Sequence, residues 1–259
     1  KYKKHVFCEK PCATSYKQIS KILKKIQNNK NFISHMVNYE LAEIKAFKYF
    51  KSKMIKNRIK IKLIKIQWNI LNRSKSKSWK NYHNMGGGLI FNYFCHVLYY
   101  IETIFGNIKS IKFFNKFNLN KKNEFIEVLV KLKNNISCLI KISSSKFINK
   151  NKLYHKLFIK TNKTNFLIKS DTIKVSDQFN IDKFDLKKNN NIKKKFFYEK
   201  RNSQDFRISP SSYNLNKFAY SIKRKKIVRP NLFDAKNIHL LINKTIQSSK
   251  KNKQVLLID

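Results

Sequence analysis

All four glycines of this 259-residue chain lie between positions 86 and 106. Three are consecutive, Gly86, Gly87 and Gly88, and Gly106 closes the apolar run that follows them. Glycine permits left-handed backbone and a closeness of approach that other residues do not. In a chain that avoids it elsewhere, the triplet marks a point where the backbone turns sharply or passes close to a ligand. Residues 89–105 read as a buried helix; they are too short for a membrane span and carry Asn92, His96 and Glu102. Their spacing puts Asn92, His96 and Tyr99 on one helical face.

Residues 4–8 read as a buried strand. Glu9-Lys10-Pro11 ends it, because proline cannot continue a central strand. Ser15 and Gln18 fit a capping box, with Gln18 reaching back, and Ile19, Ile22, Leu23 and Ile26 follow at helical spacing. Residues 32–37 read as a second strand. Strand, helix and strand over about 35 residues make a βαβ unit with parallel strands. Ligands of such sheets sit at the carboxyl ends of the strands, here Lys10 and Asn38-Tyr39. A helix over 41–57, a strand over 59–70 and a polar loop over 72–77 lead to Trp79 and the glycines.

After Gly106 the period becomes two. Strands are expected at 108–117, 125–132, 136–143, 153–160 and 165–169, with Lys133-Asn134-Asn135 as a hairpin turn. Short links between successive strands imply a mainly antiparallel sheet. Residues 171–211 are polar and read as a long excursion. Helices over 212–224 and 233–250 and a short strand over 254–258 complete a two-part architecture, α/β followed by α+β.

Apolar residues make up 42% of the chain, including 21 Phe and 12 Tyr, which is enough for a packed core. The net charge is +44, from 58 Lys and Arg against 14 Asp and Glu. The lysines are spread along the chain, as in Ile59-Lys60-Ile61-Lys62-Leu63-Ile64-Lys65-Ile66, and no zinc-finger, RRM or basic-zipper pattern is present. The charge therefore reads as a solvated lysine-rich surface that binds polyanions weakly at low salt, without specific nucleic-acid recognition. Cys8, Cys12, Cys95 and Cys138 match neither a disulfide framework nor a zinc pattern, so reduced thiols in the cytoplasm are expected and no metal. No signal peptide is visible, since Val6-Phe7-Cys8 ends at once in Glu9-Lys10.

Two motifs can be read together: Glu9-Lys10-Pro11 at a strand end, then Trp79, Gly86-Gly87-Gly88, Asn92, His96 four residues on, and Gly106 ten after that. With Asn38-Tyr39 between them, they resemble the Gfo/Idh/MocA family of NAD(P)-dependent oxidoreductases. The resemblance covers essentially the whole chain and is weakest at 171–211. It implies that residues 1–40 are the C-terminal part of a Rossmann nucleotide-binding domain. Residues 41–259 then form an α+β substrate and oligomerisation domain, a mainly antiparallel open sheet with flanking helices. Family members open with a glycine-rich turn, and no glycine precedes Gly86. The chain is therefore expected to be the C-terminal two-thirds of such an enzyme, without about four strands of the dinucleotide fold. Alone it would hold a dinucleotide poorly, and the strand at 4–8 would keep an open edge.

The activity implied by the resemblance is hydride transfer between the nicotinamide of NAD or NADP and a carbinol carbon of a sugar, polyol or sugar-nucleotide. His96 matches the acid/base, and Lys10 the lysine that reaches nicotinamide and substrate hydroxyl, aimed by a cis Lys10–Pro11 peptide. Glu9, Pro11, Asn38 and Tyr39 fall beside the cofactor; Gly87, Asn92 and Tyr99 fall beside the substrate. Glu9 is expected to be buried near Lys10. Two positions depart from the pattern. Asn92 stands where many members carry Asp, and an amide can orient a substrate or imidazole but cannot offset its charge. Tyr99 stands where Asp is also frequent. These departures keep open a second reading, a non-catalytic basic binding or scaffold protein of the same fold. A homo-oligomer through the open sheet face is also implied; a membrane partner is not.

Overall fold

The computed structural model describes residues 4–29, 31–71, 78–114, 125–145, 153–170, 178–185, 192–198 and 207–257. Its first part is the expected βαβ unit. Strands β1 (Val6–Cys8) and β2 (His35–Val37) run parallel, with Val6 opposite His35 and Cys8 opposite Val37. Helix α1 (Tyr16–Gln27) connects them. The Ser15 hydroxyl accepts from the Gln18 N–H at 3.3 Å. Gln18 reaches back one residue further than a capping box requires: its Oε1 accepts from the Thr14 N–H at 2.9 Å and the Thr14 hydroxyl at 2.8 Å. Ile19 and Leu23 are buried, whereas Ile22 faces out. β1 is not the buried strand expected. Val6 is 41% exposed, because among the described strands β1 pairs with β2 alone and its other edge is uncovered.

The second part is a nine-stranded sheet. Its strands are β3 (Ile61–Leu71), β4 (Ile108–Phe113), β5 (Phe125–Leu132), β6 (Ser137–Ser145), β7 (Tyr154–Thr161), β8 (Thr164–Ser170), β9 (Gln178–Asp185), β10 (Ile192–Tyr198) and β11 (Val255–Leu256). They lie in the order β10-β9-β8-β7-β3-β6-β5-β4-β11. Every pairing is antiparallel except β3 with β6. β3 enters between β6 and β7, so Ile64 meets Cys138 on one side and Ile159 on the other. Alternate residues such as Ile64, Ile66, Val128, Ile140, Ile142 and Ile159 are buried on one face, each worth about 2 kcal/mol of apolar burial. That face lies under helices α2 (Lys45–Lys56), α3 (Cys95–Phe105) and α5 (Leu232–Lys251). Asn231 caps α5 in a reciprocal box with Asp234, right after Pro230. The other face carries residues such as Lys65 and Gln67 and a Lys141–Glu127 pair at 2.7 Å.

Two further expectations change. The helix over 41–57 is two pieces, a 3-10 turn over Glu40–Glu43 and then α2, separated by the extended backbone of Ile44. The span 171–211 is no plain excursion. It holds β9, β10 and the start of helix α4 (Ile208–Lys223), and Phe179 and Ile181 alternate into the core between lysine- and asparagine-rich stretches. The hairpin at 133–135 is present, with Asn135 at φ +62° and Leu132 N–H bonded to the Ile136 carbonyl at 2.9 Å. The loop expected over 72–77 and the end of the strand expected over 108–117 lie outside the described residues.

Candidate functional site

Two 3-10 turns, Trp79–Asn81 and His83–Met85, lead into the glycine triplet. A Cβ on Gly87 would lie 2.2 Å from the Trp79 carbonyl oxygen and 2.7 Å from the Lys80 carbonyl carbon. Gly88 has φ +71°, and a Cβ there would lie 2.0 Å from the His83 ring. The close approach read from the sequence is thus an approach to the chain's own backbone and imidazole. A π-helical turn, Ile90–Phe94, follows and passes into α3. Such turns interrupt α-helices frequently at functional sites.

The turn delivers His96 to the carboxyl ends of β1 and β2. The His96 side chain is 4% exposed, and its Nε2 lies 3.8 Å from Glu40 Oε1, which is 7% exposed. The Tyr39 ring stands edge-on to His96 at 6.0 Å and stacks on Tyr99 at 4.6 Å. Lys10 arrives from the loop after β1, through a cis Lys10–Pro11 peptide, and its ammonium donates to the Asn92 backbone carbonyl. Burial pushes His96 well below the usual imidazole value, and the positive charges of Lys10 and Arg207 push the same way. Burial raises Glu40 to about 6, with Lys10 opposing. At 3.8 Å the Glu40–His96 contact is beyond hydrogen-bond reach, so it does not reverse the effect of burial on the imidazole. Glu40 Oε2 and His96 Nδ1 are both buried without a hydrogen-bond partner. Such atoms are costly unless a polar group meets them.

The remaining expected residues divide. Asn38 donates to Glu9 Oε1 at 2.9 Å and to the Ser211 hydroxyl at 3.0 Å, and accepts from Asn214 Nδ2 at 3.1 Å. It ties the strand ends to α4. Glu9 is exposed and takes Asn38, not Lys10, as its partner, contrary to expectation. Adjacent residues of an extended segment point to opposite sides, and Lys10 takes the inward one. Of the two partners open to the Asn92 amide, substrate or imidazole, its NH2 takes neither here and donates to the Lys80 carbonyl at 2.8 Å. Tyr99 is buried, with the Arg229 guanidinium 6.0 Å from its ring centroid. Pro11 packs toward Gly86, and Gly87 toward Trp79. Lys10, Tyr39, His96, Tyr99 and the Asn92 backbone therefore come together, while Pro11 and Gly87 build the corner beside them.

The family model describing the oxidoreductase family's C-terminal alpha/beta domain, Gfo/Idh/MocA, matches residues 52–257. The chain belongs to the Gfo/Idh/MocA family. No curated protein matches its sequence. Among solved structures of this fold, levoglucosan dehydrogenase in complex with NADH superposes with a TM-score of 0.80 at 12% identity, covering 99% of this chain and 74% of that one. The WlbA dehydrogenase from Bordetella pertussis, in complex with NADH and UDP-GlcNAcA, gives 0.73 at 12%, covering 98% and 72%. The transcriptional regulator Gal80p from Kluyveromyces lactis gives 0.76 at 16%, covering 97% and 69%. The same Gfo/Idh/MocA frame thus occurs in two dehydrogenases and a regulator.

Within this member of the family, Glu40 is the residue that sequence reasoning passed over. It directly follows Asn38-Tyr39 and is one of 14 acidic residues in a chain of net charge +44. An acid at a strand's carboxyl end, in so basic a chain, was the available signal. Among the described residues no group of three His, Cys, Asp or Glu is placed to hold a metal ion. No described helix is long and apolar enough to cross a membrane.

Proposed function

We propose that this chain is part of an NAD(P)-dependent oxidoreductase that moves a hydride between the nicotinamide and a carbinol carbon of a sugar, polyol or sugar-nucleotide. Residues 1–40 then belong to the nucleotide-binding domain, and 41–259 form the substrate domain. The observation that carries the reading is the meeting of Lys10 and His96, 86 positions apart in sequence, around the buried Glu40. The partnerless His96 Nδ1 and Glu40 Oε2 suit a polar ligand. The residues present fit the nicotinamide end of the cofactor, beside Lys10 and Tyr39. The glycine turn that would cradle the pyrophosphate is not among them, as no glycine precedes Gly86. When bound, the nicotinamide supplies the hydride acceptor or donor.

The chain's own residues handle the proton. His96 is held neutral, so it can accept the carbinol hydroxyl proton as the hydride leaves and return it in reduction. Lys10 carries a positive charge toward the same hydroxyl and favours its alkoxide character. The Tyr39 ring, backed by Tyr99, covers one side of the imidazole. Turnover should be measured by nicotinamide absorbance with the protein expressed from its complete coding sequence, against a panel of polyols and nucleotide-sugars. His96→Ala and Lys10→Ala should each lower kcat by about 10²–10⁴. Wild-type rates in both variants would remove these roles.

The likeness to a transcriptional regulator favours a second reading, a binding protein that keeps the fold. Nicotinamide binding without turnover on any of the panel would select it. On either reading the open sheet face suits a second copy of the chain. Leu129, Leu139, Phe158 and Leu167 lie half-buried in register across it, with Lys65 between Leu139 and Phe158. Sedimentation as a strict monomer would remove that pairing.

A further inference from the structure

Strand β9 breaks its own pattern. Phe179 and Ile181 alternate into the core, and the next residue of that series is Lys183, opposite the buried Phe166 of β8. A half-buried lysine thus stands on the apolar face of the sheet, a costly place for a charge without a partner. A second irregularity lies beside it. Asn57 caps the end of α2, and Arg58 follows at φ +46°, a left-handed position that glycine takes at less cost. Arg58 and Lys183 line one cavity of about 420 Å³. Lys53 and Lys60 join them from the end of α2, and Lys163 from the turn between β7 and β8. Among the described residues no Asp or Glu lines this cavity, and none of its five cations is ion-paired. We infer that the cavity is a binding site for a small anion carrying two or more phosphate groups.

The basic character of the whole chain does not account for this cluster. Lysines accumulate where the surface tolerates them, but position 183 faces inward and position 58 has glycine-type backbone. Cations also suit the carbonyl end of a helix, which explains Lys53. It does not explain Lys163 and Lys183, which come from other elements. Five cations around one hollow repel one another, and a multivalent anion removes that repulsion. The Arg58 guanidinium offers paired N–H donors to phosphate oxygens, and the lysines act as point charges. The volume is that of a small-ligand site. Among the described residues the one aromatic side chain lining it, Phe166, is buried, so recognition falls on the phosphates rather than on a stacked base. The cavity lies at the opposite end of α2 from the Glu40–Glu43 turn, about 18 Å along a 12-residue helix, and the inference does not rest on the oxidoreductase reading.

The test is calorimetric titration of the full chain with inorganic tripolyphosphate in about 0.15 M salt, where diffuse surface attraction is screened. Saturable binding at one site is expected. Lys183→Met and Arg58→Asn should each weaken it about 10-fold or more, and Lys24→Met, on the exposed side of α1, should leave it unchanged. Both test variants suit their positions, methionine on an apolar face and asparagine at a left-handed cap, so the folded protein remains available for measurement. Without the anion, Lys183→Met should melt no lower than wild type, since it removes an unpaired charge; a lower midpoint would mean that the ammonium serves the fold, and overturns the inference. Absence of saturable binding in the wild type, or an equal loss in Lys24→Met, also overturns it. The last arm is competition by oligouridine at matched phosphate concentration. Displacement of tripolyphosphate that is itself lost in Lys183→Met would make an RNA backbone the ligand and overturn the assignment to a small anion; no displacement supports it.

Discussion

The Asn92 side chain donates to the Lys80 carbonyl at 2.8 Å, so a position that faces the imidazole in the helical pattern is used here to close the glycine corner. Replacing Asn92 by Asp therefore should not restore a carboxylate–histidine pair. It would set a carboxylate against a carbonyl oxygen, two acceptors with no proton between them. The bond is exposed, so Asn92→Asp should lower stability by about 0.5–1.5 kcal/mol in urea unfolding and leave turnover no higher than wild type. A gain in turnover would show that the side chain can swing to His96.

The glycine corner makes a second, graded prediction. A Cβ at Gly87 meets backbone at 2.2 Å, which cannot yield without moving Trp79 and Lys80. At Gly106 the nearest atom would be 3.7 Å away, the flexible Asn134 amide, and only the φ of +111° resists a side chain. Gly87→Ala should cost upwards of about 3 kcal/mol or prevent folding, and Gly106→Ala about 1–2 kcal/mol. Comparable thermal midpoints for the two variants would contradict this account of why the triplet is glycine.

The contrast between these residues also explains what could be read in the sequence. The βαβ unit was legible because Ile19 and Leu23 keep helical period and because Pro11 can stop a strand. The meander was legible because strands such as Phe125–Leu132 alternate strictly, a pattern that one buried face imposes. β9 and β10 were hidden because lysine and asparagine fill their outward positions and flanks, leaving short apolar alternations such as Phe179 and Ile181. His96 and Lys10 stood out by motif. The partner of Asn92 could not be read, and Glu40 offered only its charge at a strand end as a signal, because their placement depends on a π-helical turn and a 3-10 turn that local sequence does not announce.

Acid should unfold the protein through its histidines. An imidazole in the unfolded chain takes a proton below about pH 6.5. In the folded core burial delays this, to about 3 at His155, which stacks on Trp68 at 4.4 Å, and to about 4 at His239. His35, His83 and His96 shift in the same direction. Between those values and pH 6.5 the unfolded chain holds more protons, so stability falls with falling pH, by up to about 1.4 kcal/mol per pH unit for each such histidine. Glu40 acts oppositely: raised from 4.5 to about 6, it is protonated first in the folded state and gains stability on acidification through that window. Burial raises Glu102 in the same direction, and two carboxyls against five imidazoles leave a net loss. The urea midpoint should drop steadily from pH 6.5 to pH 4.5; a flat profile would mean the buried rings admit protons in the native state.

The last prediction concerns Cys8, which is on the edge of the proposed nicotinamide site. A hydrogen bond from the Cys12 thiol favours its thiolate and lowers its pKa against the opposing effect of burial, while Cys12 itself is pushed up. Burial raises Cys95 to about 11 and pushes Cys138 up as well, and both are enclosed in the core. Alkylation follows thiolate fraction and access. Iodoacetamide at pH 8 should therefore label Cys8 first, as read by peptide mass spectrometry over a time course. Cys12→Ala removes the donor, and Cys8 labelling should slow by about threefold or more. If the nicotinamide lies beside Lys10, two positions along, then NADH or NADPH should slow the labelling further in the complete protein. Labelling that begins at Cys95 or Cys138, or a Cys8 rate unchanged in Cys12→Ala, would mean that the Cys8–Cys12 contact does not govern this loop.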